Sequence, residues 1–413
     1  MKLLGVREIQ ILEENVTAKK VYGISHESEA SKYQILEDTM MAGSFANMDP
    51  LELQKGFRDP QLAMKAAQKI KELAKNRTFK FMHLCGTHEY TITHSGLRDL
   101  LPENVELIAG PGCPVCVCPP EDVALAIAVA KQPNALLTTF GDMMRVPAGD
   151  LGSLNSARGK GANVQVVYSM MDAIIAAKEH PDKEVVHFAI GFETTTPPTA
   201  AEILGDAPSN FSVLVSHRLI PPAEEFLLDQ GEVGLDGFLL PGHVSVIIGA
   251  QGYEHISNRW KVPQVIAGFE PLDVLLGIVM LLQQLEDGRG EVENEYTRAV
   301  SYEGNVRARE MIEKVFVPVD ARWRGIGIIP ESGLALREEY MSFDVRTRFE
   351  IKLEPQKYEM PPGCKCGEVL RGIMRPEECP LFGKKCVPQN PIGPCMVSME
   401  GTCSVVYGAQ MIP

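Results

Sequence analysis

The chain of 413 residues has no long apolar run and no excess of basic charge. A membrane-spanning helix needs about twenty consecutive apolar residues, and no such stretch occurs. The first thirty or so residues are laced with charges, unlike the apolar region of a secretory signal peptide. Acidic residues outnumber basic ones by 54 to 40, whereas nucleic acids and anionic membranes recruit basic patches. We therefore expect a cytoplasmic protein that binds protein partners and small ligands, but neither nucleic acid nor membrane.

Cysteine is missing from two long parts of the chain and concentrated in two others. None precedes Cys85, and none lies between Cys118 and Cys364. Four cysteines fall within residues 85–118 and six within residues 364–403. A chain of this length buries a core large enough to fold without disulfides, and clustered cysteines in a reducing compartment are more often metal or redox sites. The sequence therefore predicts two thiol stations, separated by a cysteine-free body.

The body of the chain alternates short apolar runs with helical segments, which is typical of β-α units and a parallel sheet. It opens with an amphipathic helix, for which Asp59 is the predicted N-cap and Pro60 lies in the first turn. Strands are predicted at residues 79–84, 105–109, 135–140, 164–168, 185–190, 211–215, 237–240 and 264–267. Helices are predicted, among others, at residues 120–131, 171–179, 223–230 and 271–285.

Polar and thiol groups recur directly after the predicted strands. This matters because open α/β sheets bind ligands at the carboxyl ends of their strands. Taken singly, His217, His243, Asp142 and Glu193 are typical hydrogen-bonding groups, and only their shared position makes them candidates for function. The strings at these positions are Cys85-Gly-Thr-His-Glu89, Gly110-Pro-Gly-Cys-Pro-Val-Cys116, Gly141-Asp142, Gly191-Phe-Glu-Thr-Thr195, Ser216-His217, Pro241-Gly-His243 and Gly268-Phe-Glu270.

Cys85 stands alone at a predicted strand end, with His88 and Glu89 beside it. A single soft thiolate in such a place acts as a nucleophile or as an iron ligand. A buried cysteine is otherwise commonly a small hydrophobic residue. The polar flanking residues favour a functional role, with His88 as a further catalytic candidate.

Cys113 and Cys116 form a Cys-X-X-Cys motif, a spacing that closes a small disulfide ring and tunes the pKa of one thiol. Zinc knuckles share this spacing, but no second knuckle lies nearby. We therefore favour redox or transient metal chemistry at this pair.

The tail holds six cysteines, enough for a 4Fe-4S cluster and a separate redox pair. A structural zinc site usually shows two Cys-X2-4-Cys knuckles, and the tail has only one short knuckle, so the spacing favours the cluster. Spacing alone does not choose four ligands from six. The tail cysteines are Cys364, Cys366, Cys379, Cys386, Cys395 and Cys403.

Taken together and in order, these strings resemble the HypD family of NiFe-hydrogenase maturation proteins. The resemblance runs from about Phe57 to the end, and the segment before it has no counterpart. Further strings that carry it are Phe57-Arg-Asp-Pro60, Thr139-Phe-Gly-Asp-Met143, Pro241-Gly-His-Val-Ser245, Gly268-Phe-Glu-Pro-Leu-Asp273, Cys366-Gly-Glu-Val-Leu-Arg-Gly372, Leu381-Phe-Gly383 and Cys395-Met-Val-Ser-Met-Glu-Gly-Thr-Cys403.

The resemblance implies an α/β fold with two Rossmann-like parallel-sheet domains and a small cysteine-rich iron-sulfur domain. We expect the first α/β domain at residues 55–180, the second at 181–310 and the iron-sulfur domain at 311–413. Residues 1–54 would be an N-terminal extension of unknown role.

The resemblance also implies a function. An Fe(CN)2CO unit would be assembled on this chain with the small chaperone HypC and the cyanide donor HypE, before transfer to the hydrogenase large subunit. Cys85 would ligate this transient iron, and Cys113 and Cys116 would be the redox pair close to it. Four tail cysteines would hold the 4Fe-4S cluster: Cys364, Cys379, Cys386 and Cys403. The remaining two, Cys366 and Cys395, would form an adjacent dithiol, as in ferredoxin-thioredoxin reductase.

Two other hypotheses remain open at this stage. The chain is a general disulfide oxidoreductase of the ferredoxin-thioredoxin reductase type, or it is a zinc-stapled binding module without redox chemistry. Cys118 departs from the family pattern, which leaves open whether Cys116 or Cys118 takes part in thiol exchange. The sequence also does not decide whether the chain turns over a substrate.

Overall fold

The computed structural model describes residues 55–351, 353 and 360–411, so the predicted extension at 1–54 lies outside the described residues. Helix α1 (Pro60–Ala74) begins as the sequence predicts. The side chain of Asp59 accepts a hydrogen bond from the backbone N–H of Gln61 at 2.7 Å, and Pro60 occupies the first turn, where a missing N–H costs nothing. Residues 57–413 form one compact unit.

A first sheet has five parallel strands in the order β2-β1-β7-β8-β9. Its inner strands are almost wholly buried, as parallel strands are when helices cover both faces. The strands are β1 (Phe79–His83), β2 (Val105–Ala109), β7 (Gly237–Pro241), β8 (Gln264–Ala267) and β9 (Val292–Asn294).

A second sheet has four parallel strands in the order β4-β3-β5-β6. Its strands are β3 (Ala135–Thr139), β4 (Val164–Val166), β5 (Glu184–Gly191) and β6 (Phe211–His217). The chain therefore leaves the first sheet after β2, completes the second sheet, and returns to the first sheet at β7.

The sheets do not follow the predicted boundary between residues 180 and 181. Strand β5, which follows this point, pairs with β3, which precedes it, and β7 likewise pairs with β1. The local sequence pattern fixes where each strand lies, but it carries no information about pairing across more than a hundred residues. The prediction of two parallel α/β sheets is confirmed, and each sheet draws strands from both predicted segments.

The eight predicted strands and the predicted helices are confirmed, with ends that differ by at most three residues. None of the helices in the described ranges is both long and apolar enough to cross a membrane. The helices after α1 are α2 (Gly86–His94), α3 (Leu97–Leu100), α4 (Pro114–Val117), α5 (Pro120–Ala130), α6 (Leu154–Gly159), α7 (Met170–Glu179), α8 (Thr196–Leu204), α9 (Ile220–Gln230), α10 (Gly242–Ile248), α11 (Glu254–Trp260), α12 (Pro271–Glu286), α13 (Val306–Val315), α14 (Val345–Arg348), α15 (Cys366–Leu370) and α16 (Thr402–Gln410).

An antiparallel hairpin, which the sequence analysis missed, follows α13. Its strands are β10 (Phe316–Trp323) and β11 (Gly327–Leu336), with a register shift between Val319 and Ala321. Beyond it, the cysteine-rich tail contains the short helices α15 and α16 and several single turns. Five of the six tail cysteines are buried, so this segment packs through its sulfur atoms as much as through apolar side chains.

Candidate functional site

Cys85 lies at the junction between β1 and α2, where it is the N-cap residue of the helix. The backbone N–H groups of Thr87 and His88 donate to its sulfur, a position in which a helix N-terminus favours a thiolate. Burial nevertheless raises the pKa of Cys85 to about 12, because these two N–H groups compensate only part of the lost hydration. Without a metal, Cys85 is therefore a neutral thiol at neutral pH.

The Cys85 sulfur lies 3.2 Å from Nε2 of His243, the second residue after β7. The other ring nitrogen of His243, Nδ1, lies 3.1 Å from the hydroxyl of Thr194, which follows β5. Burial lowers the pKa of His243, although the nearby carboxyl groups of Glu400 and Glu193 act in the opposite direction. The three side chains form a hydrogen-bonded chain between strand ends of the two sheets.

Glu193 lies in the same loop as Thr194 and is buried. Its Oε1 accepts a hydrogen bond from the backbone N–H of Ile220 at 2.9 Å, and its Oε2 has no partner among the described residues. Burial raises the pKa of this carboxyl to about 7. Glu193 therefore changes its charge near neutral pH within reach of the field of His243.

The ring of His88 does not face Cys85 as a catalytic group would. Its Nε2 lies 2.8 Å from the carbonyl oxygen of Gly268 and 3.2 Å from that of Ala267, so this nitrogen donates its proton to the end of β8. Burial lowers the pKa of His88 to about 3, which keeps the ring neutral. The contact between His88 and the Cys85 sulfur is made by the backbone N–H.

Glu89 anchors the first turn of α2. Its buried carboxylate lies 2.8 Å from Nε2 of His83, accepts from the hydroxyl of Thr93 at 2.6 Å, and accepts both guanidinium nitrogens of Arg98 at 2.7 and 2.9 Å. Burial alone would raise the pKa of Glu89, but hydrogen bonds and charge from His83 and Arg98 hold it at about 2. This network fixes the helix that presents the Cys85 sulfur.

Cys113 and Cys116 are joined by a disulfide, with their Cα atoms 5.3 Å apart. Their loop lies against the Cys85 loop, because the N–H of Gly86 donates to the carbonyl of Gly112 at 3.2 Å. A Cβ atom at Gly112 would overlap the backbone of Cys85, so only glycine permits this approach. The two loops that carry the first thiol station are therefore in direct contact.

Cys118 is a free, buried thiol outside this disulfide. Its sulfur lies 3.7 Å from the hydroxyl of Ser216, at the end of β6, and burial raises its pKa to about 12. Asp122 raises this pKa further, whereas Arg218 lowers it. The structure thus pairs Cys113 with Cys116 and leaves Cys118 as a thiol between polar and charged side chains.

All six tail cysteines line one small cavity and are free thiols. The sulfur of Cys395 is within hydrogen-bonding range of the sulfurs of Cys366 and Cys403. Within the described ranges, no three His, Cys, Asp or Glu side chains converge closely enough to hold a single metal ion, and the cavity lining has no carboxylate or imidazole. A lining of thiols alone fits an iron-sulfur cluster, whose ligands stand farther apart than those of one zinc ion.

The tail is fastened to both other thiol loops. The turn Pro394–Met396, which contains Cys395, packs against α4 of the Cys113–Cys116 loop. A Cβ atom at Gly86 would overlap Glu400, which places the tail directly on the Cys85 loop. The three sets of thiols that are remote in sequence therefore meet in one region.

Two side chains after β3 hold the tail in this place. Arg145 donates to the carbonyl oxygens of Pro388 and Val397 at 2.8 and 2.9 Å, and Asp142 accepts from the hydroxyl of Ser398 at 2.7 Å. The sequence analysis noticed Asp142 from its strand-end position. Arg145 and Glu400 lacked such a signal and were missed.

Comparison with known proteins places the chain among hydrogenase maturation factors. The model of the HypD family, described as "Hydrogenase formation hypA family", matches residues 61–410. The hydrogenase maturation factor HypD2 of Bradyrhizobium diazoefficiens is 45% identical over 365 residues, which are 85% of this chain and 96% of the relative. HypD of Cupriavidus necator is 46% identical over 363 residues, and HypD of Escherichia coli is 43% identical over 361 residues. These two matches also cover 85% of this chain, and 95% and 96% of the relatives.

Proposed function

Since the chain belongs to the HypD family of hydrogenase maturation factors, we propose that it is an iron-sulfur scaffold for assembly of the hydrogenase iron site. In this proposal the Fe(CN)2CO unit is built on the chain with a HypC-type chaperone and a HypE-type cyanide donor, before insertion into the hydrogenase large subunit. The observation that carries the proposal is the contact of the Cys85 loop with both the Cys113–Cys116 loop and the tail.

Cys85 is the proposed ligand of the transient iron, which is cargo and not a resident cofactor. A thiol must lose its proton to bind iron, and a pKa near 12 makes that loss unfavourable without a base. Nε2 of His243, 3.2 Å from the sulfur, is placed to take the proton, while the hydroxyl of Thr194 orients the ring. The N–H groups at the start of α2 then stabilise the thiolate.

The tail cysteines divide into cluster ligands and a dithiol in our proposal. Cys364, Cys379, Cys386 and Cys403 would hold a 4Fe-4S cluster, which supplies single electrons when bound. Cys366 and Cys395 would be the dithiol, and their contact in the cavity supports this division. Hydrogen bonds from the thiols of Cys366 and Cys403 lower the pKa of Cys395, which makes it the nucleophile of the pair.

Thiol exchange would connect the dithiol to the disulfide. The Cys395 thiolate attacks one sulfur of the Cys113–Cys116 bond, that bond breaks, and Cys366 then resolves the mixed disulfide. The balance is two electrons and two protons, which leave Cys366 and Cys395 and arrive at Cys113 and Cys116. The packing of the Cys395 turn against α4 supports this route.

Infrared spectroscopy of anaerobically copurified protein and HypC-type chaperone tests the iron-ligand role. The native chain should carry the cyanide and carbon monoxide bands, and a Cys85→Ala variant should lose them. Cys118→Ala is the matched control, because it removes another buried thiol outside the disulfide and should keep the bands. A Cys85→Ala protein that retains the bands would refute the role of Cys85.

A second candidate is a disulfide oxidoreductase of the ferredoxin-thioredoxin reductase type. The contact between Cys366 and Cys395, beside a disulfide-bearing loop, favours it. Reduction of a protein disulfide by the cluster-loaded chain alone, without any hydrogenase partner, would select this function. Failure to turn over such a disulfide, together with cyanide and carbon monoxide bands in the copurified complex, would select the scaffold.

A further inference from the structure

The tip of the β10–β11 hairpin lies between the two thiol stations. The backbone N–H of Arg324 donates to the carbonyl of Val117 at 2.8 Å, one residue after Cys116. The next residue, Gly325, packs against the backbone of Gly367, since a Cβ atom there would come within 2.7 Å of the Gly367 Cα. The hairpin thus touches the Cys113–Cys116 loop on one side and the tail knuckle on the other.

This tip carries a buried positive charge. Arg324 is 1% exposed, and one guanidinium nitrogen donates to the carbonyl oxygen of Pro147 at 2.8 Å. The negative groups whose charge acts on it are, in decreasing order of effect, Cys366, Cys118, Cys364 and Glu121. Three of these four are cysteines, and they come from both thiol stations.

A buried guanidinium is costly unless negative charge compensates it. Burial lowers the pKa of Arg324, and thiolate charge at the neighbouring cysteines opposes this lowering. Neutral thiols leave the cation without that compensation, whereas thiolates or a thiolate-bound cluster provide it. The position therefore favours states in which the adjoining sulfur atoms carry negative charge.

We propose that Arg324 is a positioning residue for the redox chemistry of this protein, whose buried charge stabilises the reduced state of the tail sulfur centre. This inference rests on the proposed function, because it assumes that Cys364 and its companions bind a cluster. Reduction adds one negative charge to a thiolate-ligated cluster, and a fixed cation in a low-dielectric site favours that added charge. Removing the cation should lower the reduction potential.

A redox titration of the anaerobically purified full chain, followed by electron paramagnetic resonance of the cluster, tests the proposal. We expect Arg324→Gln to shift the one-electron equilibrium toward the oxidised cluster by at least about tenfold, which corresponds to about 59 mV. Arg324→Lys keeps the charge and should restore most of the native potential. Lys385→Gln is the matched control, since it removes one exposed cation next to Cys386, and water and salt screen that charge.

The outcomes separate this inference from the proposed function. A loaded Arg324→Gln protein with the native potential would overturn the role of Arg324 and leave the scaffold proposal standing. Loss of the cluster in both Arg324→Gln and Arg324→Lys would show that Arg324 serves packing alone, and would also overturn its redox role. Loss of the cluster in Arg324→Gln with a native potential in Arg324→Lys would support a requirement for the charge. A native chain that binds no cluster would defeat the proposed function itself.

Discussion

The sulfur of Cys85 lies 3.2 Å from Nε2 of His243, although 158 positions separate the two residues in the sequence. They meet because β1 and β7 are hydrogen-bonded neighbours, and each residue lies in the loop that follows its strand. The hydroxyl of Thr194 on the opposite side of the imidazole belongs to the second sheet. Changes at this junction should therefore alter thiol chemistry and the packing of both sheets.

The reactivity of Cys85 tests its neutral thiol state. In metal-free protein, iodoacetamide should modify Cys85 more than about a hundredfold more slowly at pH 8 than an exposed cysteine, because burial raises the pKa of Cys85 to about 12 and an ordinary thiol has a pKa of about 8.5. The rate should rise with pH as the thiolate fraction rises. A Tyr168→Cys variant supplies the exposed reference, since this position is 93% exposed. Equal modification of both sites, measured by peptide mass spectrometry, would contradict the prediction.

Glu193 should make stability depend on pH near neutrality. Burial raises the pKa of this carboxyl from 4.5 to about 7, so the folded protein binds a proton more tightly than the unfolded chain between these values. Its favourable contribution is complete below about pH 4.5 and is lost as pH rises through about 7. Relative to the native chain, Glu193→Gln should gain about 3 kcal/mol of unfolding free energy between pH 4.5 and pH 8. Urea unfolding at several pH values measures this, and a constant difference would contradict it.

The Glu89 carboxylate should depend on Arg98. Replacing Arg98 by Met leaves a buried negative charge with the His83 ring and the Thr93 hydroxyl as its partners, at a cost of about 3 kcal/mol in urea unfolding. Glu89→Gln in the same chain should recover part of this loss. Because the pKa of Glu89 is lowered to about 2, its stabilising contribution is present above about pH 4.5 and is lost as pH falls toward 2. An Arg98→Met protein with native stability at pH 7 would be inconsistent with the network.

Gly112 sets the distance between the Cys85 loop and the disulfide loop. A Cβ atom at this position would overlap the backbone of Leu84 and Cys85, so Gly112→Ala should lower the free energy of unfolding by about 2 kcal/mol or more. Gly159→Ala is the control, because a Cβ atom there has no heavy atom within 4 Å and should have little effect. Thermal unfolding measures both, and equal midpoints for the two variants would argue against close contact of the loops.

The sequence predicts the elements of this fold well because each has a local signal. Asp59 and Pro60 mark the start of α1, and each predicted strand is a short apolar run. Strand order has no such signal, because the pairing of β1 with β7 depends on contacts across more than a hundred residues. The β10–β11 hairpin was missed because its burial pattern is irregular along both strands.

The candidate site could be predicted in its chemistry but not in its geometry. Cysteine spacing marked Cys85, Cys113 and Cys116, and strand-end position marked His243 and Glu193 without ranking them. The choice between His88 and His243 could not be made from the sequence, since His88 is closer to Cys85 along the chain. Only the structure shows that the ring of His88 faces carbonyl oxygens and that the ring of His243 faces the sulfur.

Arg324 and Arg145 were missed for a different reason. Each arginine acts through contacts with segments distant in sequence, Val117 and Pro147 for Arg324 and the tail for Arg145. A charged residue in a strand end or a loop is usually solvated, so nothing in the local sequence distinguishes these two.

The central claim is that electrons from the tail thiols reach the Cys113–Cys116 disulfide. Anaerobic cluster-loaded protein should be reduced with a photoexcited deazaflavin, which supplies single electrons, and the thiols then alkylated and mapped by mass spectrometry. We predict that Cys113 and Cys116 become labelled in the native chain and in Cys118→Ser, and stay disulfide-bonded in a Cys395→Ser variant that retains its cluster. Equal opening of the disulfide in the Cys395→Ser variant would contradict the claim.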